Sequence, residues 1–477
     1  MSRKNRPYLF YDTTTSVCTT CLRPVEAKIL IKENHVYLEK WCPAHKTERV
    51  LISDDANYYR LCREVYVKPP EMPEQFSTSM EYGCPFDCGL CPDHMQHSCV
   101  SVVEVTEQCN LSCPVCYAES APNHGKHAFL TEVIAMLDTV VKHEGEADIV
   151  QISGGEPTIH PDFFAILDAV RERPIRHLMI NTNGLRIANA PEFVQRLSQY
   201  KPGIEIYLQF DSLANPALQN LRGAHLLETH QAALEQLERY NLSTTLVMTV
   251  KQGLNDHEIG DVIQHALTWT CVRGVTLQPI QNAGRVDDFE TKNRLTVSEI
   301  RRKIAEQSGL FNLDDIMPVP CNPDTLAMAY ALKQGNKTFP LTRWLKPADL
   351  LAGNKNTIIF ERDEALKKQL FKLFSTNLSP LKQAKYVSEL LCCLPKIAGE
   401  GMNYDHVFRV LIVQFMDARN LDIRALKKSC VHIAQANGTL IPFEAFNLFY
   451  RGDRAAMTEM IRQEIAAWTQ KRHTVEK

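Results

Sequence analysis

The chain has 477 residues, is 44% hydrophobic and 23% charged, and carries a formal net charge of −3. That length and composition describe a folded protein of two or three domains; they exclude a disordered chain and offer no basic face for nucleic acid. No apolar run reaches the roughly 18 residues of a membrane span, and MSRKNRPYLFYDTTTS lacks the apolar stretch of a signal peptide, so the expected location is cytoplasmic. Of the 16 cysteines, 11 precede residue 117. In a reducing compartment that crowding points to metal or cluster ligation and away from disulfides.

Residues 1–70 read as a small metal-binding β module. Cys18 and Cys21 form one ligand pair, Cys42 and His45 another, and AKILIKENHVYLEKW between them has the alternation of a hairpin, with Ile29, Ile31, Val36 and Leu38 on its strands. So small a module lacks the apolar burial to fold alone, and a tetrahedral ion supplies the missing stability. Three sulfurs and one nitrogen suit zinc and rubredoxin-like iron equally. After the Pro-rich VKPPEMPEQ, residues 71–100 contain Cys84, Cys88 and Cys91 in CxxxCxxC spacing, followed by Cys99. Four thiols predict a capped auxiliary 4Fe-4S cluster, with a zinc knuckle as the alternative. His94 and His97 are expected to pack or hydrogen-bond near the sulfurs.

Cys109, Cys113 and Cys116 repeat the CxxxCxxC spacing directly after a β-branched run, in VEVTEQCNLSCPVCYAES. Three thiolates on so short a loop can hold three corners of a 4Fe-4S cluster and leave one iron without a protein ligand. A structural zinc loop or buried thiols are the plainer alternatives. Over residues 101–290, strand-like segments (SVVEV, DIVQISG, HLMINTN, IEIYLQF, TTLVMTV, GVTLQPI) alternate with helix-like ones such as LTEVIAMLDTVVKH and ETHQAALEQLERY, which is the cadence of repeated βα units. Sites in parallel barrels form at the C-terminal ends of the strands, where the Cys109 loop would open. Ser153-Gly154-Gly155-Glu156-Pro157 follows the second of these strands. Residues 291–477 read as mainly helical; EALKKQLFKLF and LKQAKYVSELLCCL are amphipathic and could cover the barrel mouth, dimerise, admit an acyl chain or touch a membrane surface.

CxxxCxxC followed in order by GGEP resembles the radical S-adenosylmethionine (radical SAM) superfamily, in which the free iron takes the methionyl amine and carboxylate of SAM and an electron from the cluster cleaves the sulfonium. The resemblance implies an α/β partial (βα)6 TIM-type barrel. It also implies that Gly154 and Gly155 allow close backbone approach, that Glu156 orients the SAM ammonium, and that Tyr117, Asn181, Asn183, Gln209, Asp211, Arg222 and Gln278 lie around the cofactor, with Gln281 a further candidate at the mouth. Polar residues at strand ends also cap helices, which is the plainer reading of each.

The combined pattern GCPxxCGxCPxHxQHxC and EVTxxCNLxCPxC is more specific. It resembles the family of tetraether lipid synthase and of class D radical SAM, 7,8-dihydro-6-hydroxymethylpterin methyltransferase-like proteins, loosely continued by VFRVLIVQFMDARNLDIRALKKSCVHI. That resemblance implies three clusters and one mononuclear metal. Cys321, Cys392, Cys393 and Cys430 are the candidates for a second auxiliary cluster, against buried apolar thiols; Cys62 and Cys271 read as core residues. A low-potential electron donor such as flavodoxin or ferredoxin is implied. The expected function is reductive SAM cleavage to a 5′-deoxyadenosyl radical that abstracts hydrogen from an unactivated carbon, for carbon–carbon bond formation on lipid chains. The alternatives are radical methylation of a pterin or other small molecule, and a non-catalytic iron-sulfur protein of electron transfer or sensing.

Overall fold

The computed structural model describes residues 6–67, 69–334, 337–343 and 406–475. At the N-terminus, β1 (Leu9–Val17), β2 (Pro24–Lys32), β3 (His35–Cys42) and β4 (Lys46–Ser53) form an antiparallel sheet in that order. Glu33 and Asn34 turn β2 into β3 with φ of 51° and 64°, the paired positive values that a two-residue hairpin turn of matching twist requires. Ile29, Val36, Leu38 and Val50 are buried on one face against Tyr59 of α1 (Ala56–Glu64). Asp55 starts that helix by accepting the backbone N–H groups of Asn57 and Tyr58.

The barrel strands are β5 (Val100–Glu104), β7 (Ala147–Ser153), β8 (Ile175–Thr182), β9 (Ile204–Gln209), β10 (Thr244–Val250) and β11 (Val272–Pro279), all neighbours pairing parallel in the order β5-β7-β8-β9-β10-β11. They coincide with the six segments read from the sequence. A short β6 (Val115–Cys116) lies in the cysteine loop and pairs with β12 (Arg285–Val286). Between strands run α2 (Leu130–Glu144), α3 (Phe163–Arg171), α4 (Leu185–Asn189), α5 (Pro191–Ser198), α6 (Asn215–Arg222), α7 (Leu227–Arg239) and α8 (Ile259–Thr268). Their apolar stripes, such as Val133, Leu137 and Val140 of α2, pack on the outer face of the sheet.

The described part of the C-terminal region departs from the mainly helical expectation. It has α9 (Val297–Gln307) and a long helix Arg454–Val475, but also β13 (Met317–Pro318), β14 (Leu326–Gln334), β15 (Lys337–Pro340), β16 (Val407–Val413), β17 (Val431–Ala434) and β18 (Leu440–Pro442). β16 pairs parallel with β11, and β17 pairs parallel with β5, so strands from late in the chain cover both open edges of the six-stranded sheet. A short continuous apolar run such as VLIV has no periodicity to separate strand from helix; here an unpaired sheet edge decides. The amphipathic segments EALKKQLFKLF and LKQAKYVSELLCCL, with Cys392 and Cys393, lie outside the described residues. Among the described residues no helix is long and apolar enough to cross a membrane.

Candidate active site and metal centres

The loop after β5 carries Cys109, Cys113 and Cys116 over the C-terminal end of the barrel, where all three line one cavity with Tyr117, Glu156, Asn181, Gln209, Arg222 and Gln278. The glycines of GGEP make room for that loop. A Cβ on Gly154 would sit 2.3 Å from the Thr106 carbonyl oxygen, and one on Gly155 2.1 Å from that of Gln108. Bare backbone instead allows Gly155 N–H to donate to Thr106 O at 2.7 Å and Glu156 N–H to Gln108 O at 2.9 Å, fastening the cysteine loop to β7. Sequence reasoning passed over the latch on its other side: Arg285 donates to the carbonyls of Cys113 (2.6 Å) and Ser120 (2.7 Å). The signal was present in QNAGR, since Gly284 lies where a Cβ would meet the Tyr117 carbonyl at 2.4 Å.

Glu156 is buried and spends its carboxylate on the fold. Oε1 accepts from Thr158 N, Thr158 Oγ1 and Thr182 Oγ1, and Oε2 from Asn183 N at 2.8 Å. Burial raises its pKa and these donors pull it back. Around the mouth a hydrogen-bond chain joins the remaining candidates. Tyr117 Oη and Ser153 Oγ are 3.3 Å apart, Asn181 Nδ2 donates to Ser153 Oγ, Gln209 Nε2 to Asn181 Oδ1, and Arg222 to Gln209 Oε1 and both Asp211 oxygens. Asn183 instead donates to Asn110 in the cysteine loop at 2.7 Å, and Gln278 to Tyr207 Oη at 3.3 Å. Gln281 also lines the cavity.

Burial pushes the Cys109 thiol up to about 12 and raises Cys113 as well, while the Arg222 guanidinium beside Cys113 favours its thiolate. Leu111 N–H points at Cys109 Sγ at 3.4 Å, a donor of the kind that stabilises a cluster-bound thiolate. Three thiols on one cavity wall, with a backbone N–H turned to one of them and glycine-bared backbone behind, fit a 4Fe-4S cluster with one iron open to the cavity.

In the N-terminal sheet, Cys18, Cys21, Cys42 and His45 converge: their ligand atoms lie within 4.8 Å of one another. Cys18 Sγ is 3.3 Å and Cys42 Sγ 3.5 Å from His45 Nδ1, and Cys21 and Cys42 sulfurs are 4.0 Å apart. Zinc–sulfur bonds of about 2.3 Å in a tetrahedron imply ligand separations of roughly 3.7 Å, so one ion fits. The backbone N–H of His45 helps hold the Cys42 thiol down to about 6.

Cys99 corrects the sequence reading. It does not close a shell with Cys84, Cys88 and Cys91 but meets Cys321 and Cys430, the three sulfurs lying within 4.8 Å of one another, with Cys321 and Cys430 3.7 Å apart. Strand register is the reason: Val100 pairs with Val431, so the residues preceding them, Cys99 and Cys430, are brought side by side, and Val100 N–H donates to the Cys430 carbonyl. Cys321 arrives from the turn between β13 and β14. Gln96 Nε2 and His97 Nε2 approach Cys99 Sγ at 3.6 Å, His97 being held by Glu144. Cys84, Cys88 and Cys91 remain mutual neighbours around a small pocket with Asp93, His94 and Lys427. Cys62 and Cys271 are core residues.

The barrel and this cysteine loop form a radical SAM domain: residues 103–266 match the model of the radical SAM superfamily. Residues 10–54 match the HMPTM N-terminal zinc ribbon domain. The chain is 27% identical to the 7,8-dihydro-6-hydroxymethylpterin dimethyltransferase of Methanocaldococcus jannaschii, over 92% of this chain and 94% of that one. A probable GTP 3',8-cyclase of Thermococcus kodakarensis is 29% identical over 34% of this chain and 52% of its own length. Among solved structures, Streptococcus suis SuiB bound to S-adenosylmethionine aligns with TM-score 0.35 and 16% identity over 44% of this chain and 47% of that chain. A radical SAM methyltransferase from Sphaerobacter thermophilus aligns with TM-score 0.33 and 12% identity over 62% and 73%.

Proposed function

We propose that this enzyme uses radical SAM chemistry to methylate a carbon of a pterin-like small molecule. The observation that carries this reading is the likeness to the pterin dimethyltransferase, which runs over 92% of the chain and so takes in the ribbon and much of the C-terminal region as well as the barrel. Coupling of lipid chains, the reading favoured from the sequence, has less support, because the relative matched over 92% of this chain is named for a pterin.

Cys109, Cys113 and Cys116 would hold a 4Fe-4S cluster, which would supply the electron for reductive cleavage of SAM. The chain's own residues do the positioning. Glu156 ties the cysteine loop to the ends of β7 and β8. The chain Tyr117, Ser153, Asn181, Gln209, Arg222 presents donors and acceptors to the nucleoside, with Asp211 holding Arg222, and Asn183 and Gln278 stand beside it. The apolar wall of Val102, Leu411, Val413 and Phe443 encloses the site and keeps competing reactants from it. We further infer that Cys84, Cys88 and Cys91 serve one auxiliary centre, that Cys99, Cys321 and Cys430 serve another, and that the ribbon holds one zinc or iron. A low-potential flavodoxin or ferredoxin would deliver the electron. We infer a functional division into residues 1–70, 71–100 and 101–290, with strands from 291–477 joining the barrel sheet and its cysteines joining Cys99.

The test is anaerobic incubation of reconstituted protein with dithionite, methyl-labelled SAM and 6-hydroxymethyl-7,8-dihydropterin. Label is expected in the pterin alongside released 5′-deoxyadenosine. An unlabelled pterin, together with a coupled product from a lipid extract, would reverse the assignment.

A further inference from the structure

The barrel cavity has a floor that the superfamily resemblance does not account for. Residues two apart on a strand share a face, so the cavity can be read in layers. Nearest the cysteine loop stand the amides Gln151, Asn181, Gln209 and Gln278; below them come Ile149, Met179, Tyr207 and Leu411; and Arg409 of β16 closes the lining. One step further down each strand lie His177, Glu205 and Thr245, all buried. Glu205 accepts from Arg409 Nη2 at 2.5 Å, from Thr245 Oγ1 at 2.5 Å and faces His177 Nε2 at 3.0 Å. Against the cost of burial, Arg409 and His177 hold its carboxyl well below the usual range, so it stays ionised.

The neighbouring strand is shaped around this arginine. Gly274 pairs directly with Arg409, and a Cβ there would lie 2.7 Å from Arg409 Cγ and 2.6 Å from its carbonyl oxygen. The other guanidinium of the cavity, Arg222, is at the mouth beside Cys113, bound to Asp211. Among the described residues Arg409 is thus the cation on the floor side of the lining, separated from the cysteine loop by an apolar layer.

We propose that Arg409 reads the substrate, donating to the paired acceptors that a pterin presents at its ring carbonyl oxygen O4 and the adjacent ring nitrogen N5, while Met179, Tyr207 and Leu411 pack on the ring; the assignment rests on the pterin-methylation reading. Guanidinium is a donor-only fork that matches two neighbouring acceptors, as it does at guanine O6 and N7. It therefore rejects the donor-bearing 2-amino edge. Glu205 neutralises the positive charge, which suits a neutral heterocycle better than a phosphate or carboxylate. From Arg409 to Val413 at the upper end of β16 is four residues, about 13 Å along the strand and roughly 11 Å along a tilted barrel axis. A two-ring heterocycle held at O4 and N5 turns its opposite edge toward the amide layer within that depth.

The test measures anaerobic equilibrium binding of 6-hydroxymethyl-7,8-dihydropterin, and of its 5-deaza analogue with C–H in place of N5, to the reconstituted holoprotein. Wild type should bind the analogue about 10- to 100-fold more weakly than the parent, and Arg409→Met should bind the parent that much more weakly and cease to distinguish the two. Iron content equal to wild type shows that the variant folded. The comparison of ligands on wild type needs no variant: equal affinity for both overturns the assignment, as does wild-type discrimination by Arg409→Met. If wild type binds neither ligand, the pterin reading itself falls and takes this assignment with it.

Discussion

The ribbon and the Cys99 centre are both sets of close cysteines, yet they are assembled by opposite means. In the ribbon, four ligands fall within residues 18–45, on turns joined by one hairpin, and their meeting follows from local chain geometry. At Cys99, the partners Cys321 and Cys430 are contributed from more than 200 residues away and meet because β17 adds to the edge of β5. Local spacing therefore identifies the first centre, whereas it assigns Cys99 to the wrong neighbours. Eight residues of separation from Cys91 put Cys99 within reach of that loop, but β5 begins at Val100 and draws Cys99 into the sheet. A centre built by strand register is as sensitive to the sheet as to its own ligands; one built on turns is not.

The sharpest way to break this contrast is to remove ligands and follow SAM cleavage. Cys113→Ala should reduce 5′-deoxyadenosine release in dithionite to background, while Cys18→Ser should lose one zinc or iron, loosen residues 10–54 in hydrogen exchange and leave cleavage standing. Equal loss of all iron in Cys18→Ser would mean that the ribbon is not an independent unit.

Metal content then separates the two auxiliary groups. Cys99→Ser and Cys321→Ser should each remove the same centre, so the double variant loses no more metal than either single one. Cys99→Ser combined with Cys84→Ser should lose the sum of two losses. Additivity within the first pair, or its absence in the second, would restore Cys99 to the loop of Cys84, Cys88 and Cys91.

Backbone approach offers a third lever, of smaller size. Gly155→Ala puts a methyl 2.1 Å from the Gln108 carbonyl and should cost about 3 kcal/mol in urea unfolding, with loss of cluster from the Cys109 loop and the ribbon metal retained. A variant as stable as wild type would show that the loop is free to shift away from β7.

The smallest effect is in acid. The depressed folded pKa of Glu205 means that its contribution is fully present above the unfolded value near 4.3 and is lost as pH falls below that toward the folded value. Below pH about 4 wild type should lose stability more steeply than Glu205→Gln, by up to ~1.4 kcal/mol per pH unit, in denaturant titrations. At neutral pH the variant should be the less stable one, since Arg409 then lacks its buried countercharge. Parallel acid profiles would remove the ion pair from the barrel floor.

Much of the architecture is legible in residue order because it rests on short-range rules. Alternating β-branched runs and helical stripes locate the six parallel strands, Glu33-Asn34 marks the hairpin, and CxxxCxxC followed by GGEP locates the mouth. What residue order leaves open is pairing between distant segments: that VFRVLIV joins β11 and not a helix bundle, that Cys430 stands beside Cys99, and that Arg409 enters the floor of a barrel whose other strands end by Pro279. An apolar run is compatible with several partners, and a cysteine or arginine carries no record of which edge its strand will meet. By itself the sequence determined which groups gather in the cysteine loop and the ribbon, since they are close along the chain; the meeting of Cys99 with Cys321 and Cys430 and the cavity floor were decided only by the tertiary structure, because hydrogen-bonded register across a sheet brings together residues that local spacing cannot relate.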